Sequence, residues 1–281
     1  MVDDPGSEIV ASAADRLTVD GPLAARVKAF AESVRAGDVE PNGAHIEIVR
    51  SPLDHVGLGT GTQLGLAVAA ALTTLRGESL SALELAHRVG RGNRSAIGIH
   101  GFEHGGFLVD GGKGKPDEVA PLISRFPVPE EWRFLLVVPG NLRGLSGARE
   151  KEAFRELSPD KPSSDALCRI LVLGVLPALA NADFTAFGEA LTEYCATAAE
   201  FFRGVQGDIY ASPLLEKIVI AVTEAGAAAA GQSSWGPTTF AVASDEEQAN
   251  FIAEALRRRF EFSSAEVIVT RARNRGAEVT P

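Results

Sequence analysis

Residues 44–75 read AHIEIVRSPLDHVGLGTGTQLGLAVAAALTTL, and this stretch decides the fold. The segment 44–50 alternates in polarity, which is typical of a half-buried β-strand. The alanine- and leucine-rich run from Thr62 to Leu75 is typical of a helix, and the glycine-rich segment GLGTGT lies between the two. We therefore predict the order strand, glycine loop, helix.

This glycine loop is a candidate anion site. Unpaired N–H groups at the start of a helix and the positive end of its dipole both favour a phosphate, and glycine lets the backbone approach closely. The loop is not a Walker A motif, and it lacks the third glycine of a dinucleotide fingerprint. A plain glycine turn is the alternative interpretation. A second glycine-rich segment, GQSSWGPTT at 231–239, favours the phosphate-binding interpretation.

The remaining pattern indicates an α+β protein. A capping box of Ser81 and Glu84 starts a helix that ends near Val89, and strands are predicted in FLVDGG and in WRFLLVVP from Trp132. Four helices follow, predicted at 147–157, 164–180, 183–203 and 213–225. The tail reads as two strands, a helix capped by Ser244 with Glu247, and the strand AEVIVTRAR. This order suits a sandwich of helices on antiparallel strands.

Composition limits the function classes. The 281 residues are enough for two lobes, and a formal charge of −10 disfavours a nucleic-acid partner. Cys168 and Cys195 lie in predicted helices without metal-ligand spacing, so we expect two buried thiols of a reducing compartment. The apolar run from Ile170 is too short for a membrane span and contains a proline, and no signal peptide opens the chain. We expect a cytoplasmic protein without a membrane partner.

The segments SPLDHVGLGTGTQLGLAVAAAL and GQSSWGPTTFAV resemble the second and third motifs of the GHMP kinase superfamily. Together with GRGNRSAIGIHGFEHGGFLVDGG, they are most similar to the β-ribofuranosylaminobenzene 5'-phosphate synthase family of methanopterin biosynthesis. The resemblance implies a ribosomal-S5-like lobe over 1–145 and a ferredoxin-like α/β sandwich over 146–281. It also implies that the RLHFGL-like first motif of the superfamily is missing, since the chain opens with MVDDPGSEIVAS. We therefore expect an N-terminally incomplete first lobe with unpaired strands.

Two departures from the kinase pattern bear on the chemistry. Gly98 stands where the kinases of this superfamily carry their catalytic aspartate, and Gly61 stands where a serine helps them to hold magnesium. Phosphoryl transfer needs a positioned nucleophile and a metal clamp. The pattern therefore favours a synthase over an ATP-dependent small-molecule kinase, which remains the alternative. A catalytically inactive binding protein is a third interpretation.

The resemblance implies a pentosyltransferase that joins phosphoribosyl pyrophosphate to 4-hydroxybenzoate or 4-aminobenzoate, with release of pyrophosphate and CO2. It implies Mg²⁺ as cofactor, with Asp110 and Thr62 as candidate ligands. The candidate catalytic residues are Arg91, Asp110 and His55. A homodimer is left open.

The candidate phosphate-binding residues are Gly57, Leu58, Gly59, Thr60, Gly61, Thr62, Gln63, Ser95, Ser233, Ser234, Gly236 and Thr238. Each candidate has a structural alternative: a helix-end arginine for Arg91 and Arg94, and a turn for Asp110. His55, His100 and His104 can assist proton movement or serve as ordinary polar residues. Ordinary turn hydrogen bonds are the alternative for the serines and threonine of the second glycine segment, and core packing is the alternative to acceptor stacking for Trp235.

Overall fold

The structure is a computed structural model that describes residues 1–36, 43–51, 53–115, 118–145, 147–157 and 161–280. The chain forms two compact units. The first comprises residues 1–54, 59–127 and 273–281, and the second comprises 55–58 and 128–272. These bounds differ from the predicted lobes because strand β6, Arg133–Val137, belongs to the sheet of the second unit. Residue 146, at the predicted boundary, lies outside the described residues.

The first unit contains a small sheet covered by helices. Its strands are β1 (Glu8–Ala14), β2 (Thr18–Asp20) and β3 (Gly43–Arg50), and its helices are α1 (Ala24–Arg35), α2 (Thr60–Leu75), α3 (Ala82–Arg88) and α4 (Ile97–His104). β3 lies between the other two strands, antiparallel to β1 and parallel to β2. We expected unpaired strands in this lobe, whereas β3 is paired on both sides. A separate antiparallel pair consists of β4 (Phe107–Asp110) and β5 (Leu122–Phe126).

The core of the first unit forms where α1, α2 and α3 meet β3. Alternate residues of β3 are buried, which confirms its predicted half-buried character. Helix α2 buries residues around most of its circumference, including Leu64, Leu66 and Val68, because α1, α3, α4 and β1 pack against it. The predicted capping box at Ser81 and Glu84 is present and starts α3.

The second unit is the predicted sandwich of helices on antiparallel strands. Its sheet has the order β7, β8, β6, β9, with β7 (Ala229–Gln232), β8 (Thr239–Ala243) and β9 (Val267–Arg271), and each neighbouring pair is antiparallel. Its helices are α5 (Gly147–Glu156), α6 (Lys161–Ile170), α7 (Leu176–Ala180), α8 (Phe184–Gln206), α9 (Pro213–Glu224) and α10 (Glu246–Phe260), with a π-helical turn at Leu171–Val175. Apolar faces of α9 and α10 pack on the sheet to form the core.

Three local predictions need correction. The glycine-rich segment after α3 contains a helix, α4, that its glycines concealed. Helix α10 is capped by Asp245, whose carboxylate accepts from the Gln248 N–H, instead of by Ser244. Cys168 is exposed, whereas Cys195 is partly buried and burial raises the pKa of its thiol to about 12.

The helix predicted over 164–180 is present as continuous helical structure from Lys161 to Ala180, and the apolar stretch within it is longer than the run from Ile170 that we judged too short for a membrane span. Among the described residues, the 18 residues Ser163–Ala180 have the length and mean hydropathy, 1.6, that a membrane span requires. Core helices of soluble proteins meet the same two criteria, and α8 packs against this segment. The segment is therefore weak evidence for a membrane.

Candidate phosphate-binding site

The glycine loop leads directly into α2. Gly59 adopts a left-handed conformation with φ of 67°, and its carbonyl accepts from the N–H groups of Thr62 and Gln63. Within the described residues, no side chain caps this helix end, and its first turn carries no acidic residue. An ideal Cβ placed on Gly59 meets no protein atom within 4 Å, so this side of the loop is open. The turn therefore presents backbone N–H groups and a helix dipole to an anion.

The second glycine segment holds the residues that precede the loop. The Thr238 hydroxyl and N–H both donate to the Val56 carbonyl, at 2.5 and 3.3 Å, and the Ser233 hydroxyl donates to the Gly57 carbonyl at 2.8 Å. A hydroxyl that donates its proton to a carbonyl has none left for a phosphate oxygen. Ser233 and Thr238 therefore make ordinary turn hydrogen bonds, which was the alternative to phosphate binding for these residues.

Two further residues of this segment, Ser234 and Gly236, have positive φ values of 53° and 67° and shape its turn. A Cβ on Gly57 would lie 2.6 Å from the Ser233 carbonyl oxygen, so the two segments pack backbone to backbone. Gly57 and Leu58 thus lie in the second unit with the second glycine segment, whereas Gly59 begins the part of the loop that belongs to the first unit.

The glycine at the kinase aspartate position is tightly packed. An ideal Cβ on Gly98 would lie 2.9 Å from Cγ2 of Thr62 and 3.1 Å from its Cβ. The Gln63 carboxamide donates to the Gly98 carbonyl at 2.6 Å. Thr62 and Gln63 therefore lie against α4, and the Thr62 methyl group fills the space in which a larger side chain at position 98 would begin.

Asp110 and Ser95 together cap α4. The Asp110 Oδ2 accepts from the Ser95 hydroxyl at 3.1 Å and from the Ala96 N–H at 3.0 Å, and its Oδ1 accepts from the Gly112 N–H at 3.2 Å. The Ser95 hydroxyl in turn accepts from the Ile97 N–H. The carboxylate thus serves both the helix start and the predicted turn. No group of three or more His, Cys, Asp and Glu residues suited to a metal occurs in the described part of the chain.

The remaining candidates are dispersed. Arg91 lies 5.0 Å from the ring centroid of Phe30 and lines a cavity of about 460 Å³ beside α3, whereas Arg94 is exposed. His55 is exposed with φ of 58°, and its carbonyl accepts from the Gly144 N–H.

Two further histidines lie in α4. His100 is buried, with its Nε2 2.9 Å from the Ala120 carbonyl oxygen, and His104 lies beside Glu103 at 3.8 Å. Trp235 is 3% exposed and packs edge to face with Phe154 and Phe202, which corresponds to its core alternative.

Sequence reasoning missed Arg26 and Asp54. The Arg26 guanidinium forms an ion pair with Asp54, and a Cβ on Gly61 would contact its Nη2 atom. Arg26 also lies 5.8 Å from the ring centroid of Phe30, the ring that Arg91 contacts. Because this proximity comes from the packing of α1 on α2, no local motif in the sequence indicates it.

Two family models match this chain. Residues 24–107 match the family described as GHMP kinases N terminal domain, and residues 175–261 match GHMP kinases C terminal. Homoserine kinase from Cytophaga hutchinsonii superposes with a TM-score of 0.71 over 98% of this chain and 88% of its own, at 19% identity, which shows a shared fold alone. The predicted α+β GHMP fold is therefore confirmed.

Two relatives are more informative than the fold. The β-ribofuranosylphenol 5'-phosphate synthase of Methanothermobacter thermautotrophicus is 37% identical over 79% of this chain and 69% of its own length. The protein of the same name from Archaeoglobus fulgidus is 32% identical over 99% of this chain and 90% of its own. The chain belongs to the β-ribofuranosylphenol 5'-phosphate synthase family, within the GHMP kinase superfamily.

Proposed function

We propose that this protein is a pentosyltransferase that joins the ribosyl 5-phosphate group of phosphoribosyl pyrophosphate to an aromatic acid, with loss of CO2 and pyrophosphate. The printed name of its relatives describes a phenol that carries a ribofuranosyl 5'-phosphate group. Of the two predicted acceptors, 4-hydroxybenzoate gives such a phenol directly, so we propose it over 4-aminobenzoate. The product would serve the biosynthesis of a methanopterin-type carrier.

The packing of Gly98 against Thr62 is the observation that favours a synthase over a kinase. Transfer of a phosphoryl group to an alcohol requires a group that accepts the hydroxyl proton. Position 98 offers no carboxylate, and the Thr62 methyl group fills the adjacent space. A decarboxylating pentosyl transfer needs no such base, because the acceptor loses CO2 in place of a proton.

The proposed reaction exchanges two bonds for one carbon–carbon bond. The bond between ribose C1 and the pyrophosphate oxygen breaks, and its electron pair leaves with pyrophosphate. The ring carbon that bears the carboxylate bonds to C1, and loss of CO2 returns the carboxyl bonding pair to the ring. Positive charge develops on the ribose while negative charge develops on pyrophosphate. A site that stabilises this leaving group would lower the barrier.

The N-terminus of α2 suits that task. Its first turn carries no competing acidic side chain, and Gly59 leaves the approach open. A dipole at a helix end favours an anion by about 0.3–1 kcal/mol, and each charge-assisted hydrogen bond adds about 1.5–3 kcal/mol. We propose that this turn binds a phosphate group of the donor. The roles of Arg91 and His55 stay predictions.

Magnesium is proposed to arrive mainly with the donor. The two oxygens of Asp110 already accept hydrogen bonds from Ser95, Ala96 and Gly112, and the Thr62 methyl group faces Gly98. This pair does not fit a dedicated protein cage. Mg²⁺ is commonly held by substrate phosphates with few protein ligands, so we assign no catalytic step to a protein-bound ion.

A carboxyl-labelled acceptor tests the proposal. The protein would be incubated with phosphoribosyl pyrophosphate, MgCl2 and either 4-hydroxybenzoate or 4-aminobenzoate labelled in the carboxyl group. We expect labelled CO2 that depends on the donor, with a higher kcat/KM for 4-hydroxybenzoate. A parallel incubation with Mg-ATP should consume no ATP. Absence of labelled CO2 with both acceptors would refute the proposed function.

A further inference from the structure

Arg26 lies against the first turn of the proposed phosphate site. It belongs to α1, and its guanidinium covers Gly61, where any side chain would contact it. The guanidinium forms an ion pair with Asp54. Asp54 ends the segment 1–54 of the first unit. The two side chains are only 25% and 18% exposed, respectively. The Arg26 guanidinium is therefore a paired cation that is mostly withdrawn from water.

The position of the Arg26 guanidinium beside the N-terminus of α2 is electrostatically unfavourable for that helix. The start of a helix carries a partial positive charge, so anions stabilise it and cations destabilise it. Arg26 adds positive charge to a turn that contains no acidic residue of its own. Asp54 balances that charge through its ion pair with Arg26. The arrangement suits a site that must attract a stronger anion.

The chemistry of the pair fits exchange with phosphate. A guanidinium matches the oxygens of phosphate with two parallel N–H donors, and a phosphate carries more charge than a single carboxylate. For an ion pair that is mostly withdrawn from water, the cost of desolvating both groups offsets much of their attraction, so the net free energy of the pair is small. Asp54 can therefore hold the guanidinium over the first turn without preventing its transfer to a better partner.

We propose that Arg26 binds a phosphate group of the donor at the first turn of α2, and that Asp54 positions the guanidinium there until that phosphate displaces the carboxylate. This inference rests on the proposed function, which places a donor phosphate at α2. The two residues of the pair then have opposite effects on anion affinity. A pair that is merely structural would give the same sign for both.

Calorimetric titration separates these cases. The parent protein and the variants Arg26→Met, Arg26→Lys and Asp54→Asn would be titrated without metal, in EDTA, with pyrophosphate and separately with ribose 5-phosphate. The two titrants distinguish the two phosphate ends of the donor. Arg88→Met and Glu78→Gln serve as matched controls, because that pair is also in the first unit, 3.0 Å apart, and half-buried.

Arg26→Met should weaken binding of one titrant by about tenfold or more, the loss of one charge-assisted interaction. Arg26→Lys keeps the positive charge but loses the two parallel N–H donors, so its affinity should lie between those of Arg26→Met and the parent. Asp54→Asn should tighten binding of the same titrant by about threefold, because the competing carboxylate is gone. Both control variants should bind as the parent does.

Two results would overturn the inference. In one, Arg26→Met, with the circular dichroism spectrum of the parent, binds both titrants unchanged. In the other, Asp54→Asn weakens binding as Arg26→Met does. Release of CO2 by the parent is scored separately. If the parent releases CO2 and Arg26→Met binds both titrants as the parent does, only the role of Arg26 is refuted. If the Arg26 and Asp54 variants change anion affinity in opposite directions but the parent releases no CO2, only the synthase activity is refuted.

Discussion

Gly59→Val should weaken donor binding at least about a hundredfold while leaving the protein folded. Gly59 has φ of 67°, and a Cβ there meets no atom within 4 Å, so valine strains the backbone without a clash. Left-handed backbone at a residue with a Cβ costs roughly 1–2 kcal/mol. The new side chain would stand on the open side of the loop, where we propose that backbone N–H groups meet the phosphate.

The structure provides a control at the other end of the same helix. Gly77 follows α2, has φ of 75° and is equally open, so Gly77→Val carries the same strain away from the loop. Both variants should lose similar stability in a urea titration. In calorimetry with phosphoribosyl pyrophosphate, Gly59→Val should bind at least about a hundredfold more weakly, since two charge-assisted hydrogen bonds of about 1.5 kcal/mol each are lost. Gly77→Val should bind as the parent does. Equal affinities for both variants would refute phosphate binding at this loop.

Three further outcomes are expected. Gly98→Asp should lower the free energy of unfolding by about 1–3 kcal/mol, because the new side chain overlaps Thr62. The variant should not phosphorylate an alcohol with ATP, and an active kinase would contradict the account. The N–H of Gly140 and the groups of Ser263 lower the pKa of Glu266, so its carboxylate stabilises the fold at neutral pH and this contribution is lost as pH falls through the folded-state pKa. Glu266→Gln should therefore reduce stability at pH 7 and flatten its acid dependence, whereas an unchanged pH profile would contradict this. Iodoacetamide at pH 8 should label the exposed Cys168 and not Cys195, whose thiol pKa is about 12; equal labelling of both would show that burial does not protect Cys195.

Local signals in the sequence were sufficient for the elements around the loop. The alternation of residues 44–50 predicted β3, and the apolar run with its glycine loop predicted α2. Ser81 and Glu84 predicted α3 because the capping box is complete within four residues of sequence. Each of these signals depends on neighbours along the chain.

Local sequence signals could not predict contacts between segments that are distant along the chain. Helix α4 contains two glycines, and its start is capped by Asp110, which lies 14 residues from Ala96 in sequence. The positions of Arg26 over Gly61 and of the Thr62 methyl group over Gly98 depend on how helices pack. The sequence thus located the candidate loop, whereas the reason for its two departures from the kinase pattern became visible only in three dimensions.

The central claim is that this protein forms a bond between ribose C1 and an aromatic ring carbon. Phosphoribosyl pyrophosphate labelled with ¹³C at C1 and 4-hydroxybenzoate labelled with ¹³C at the ring carbon that bears the carboxylate would test it directly. We predict a product whose ¹³C spectrum shows a one-bond carbon–carbon coupling between the two labels, with one CO2 and one pyrophosphate released per coupled product. A product without that coupling, or turnover only when ATP is supplied, would contradict the account.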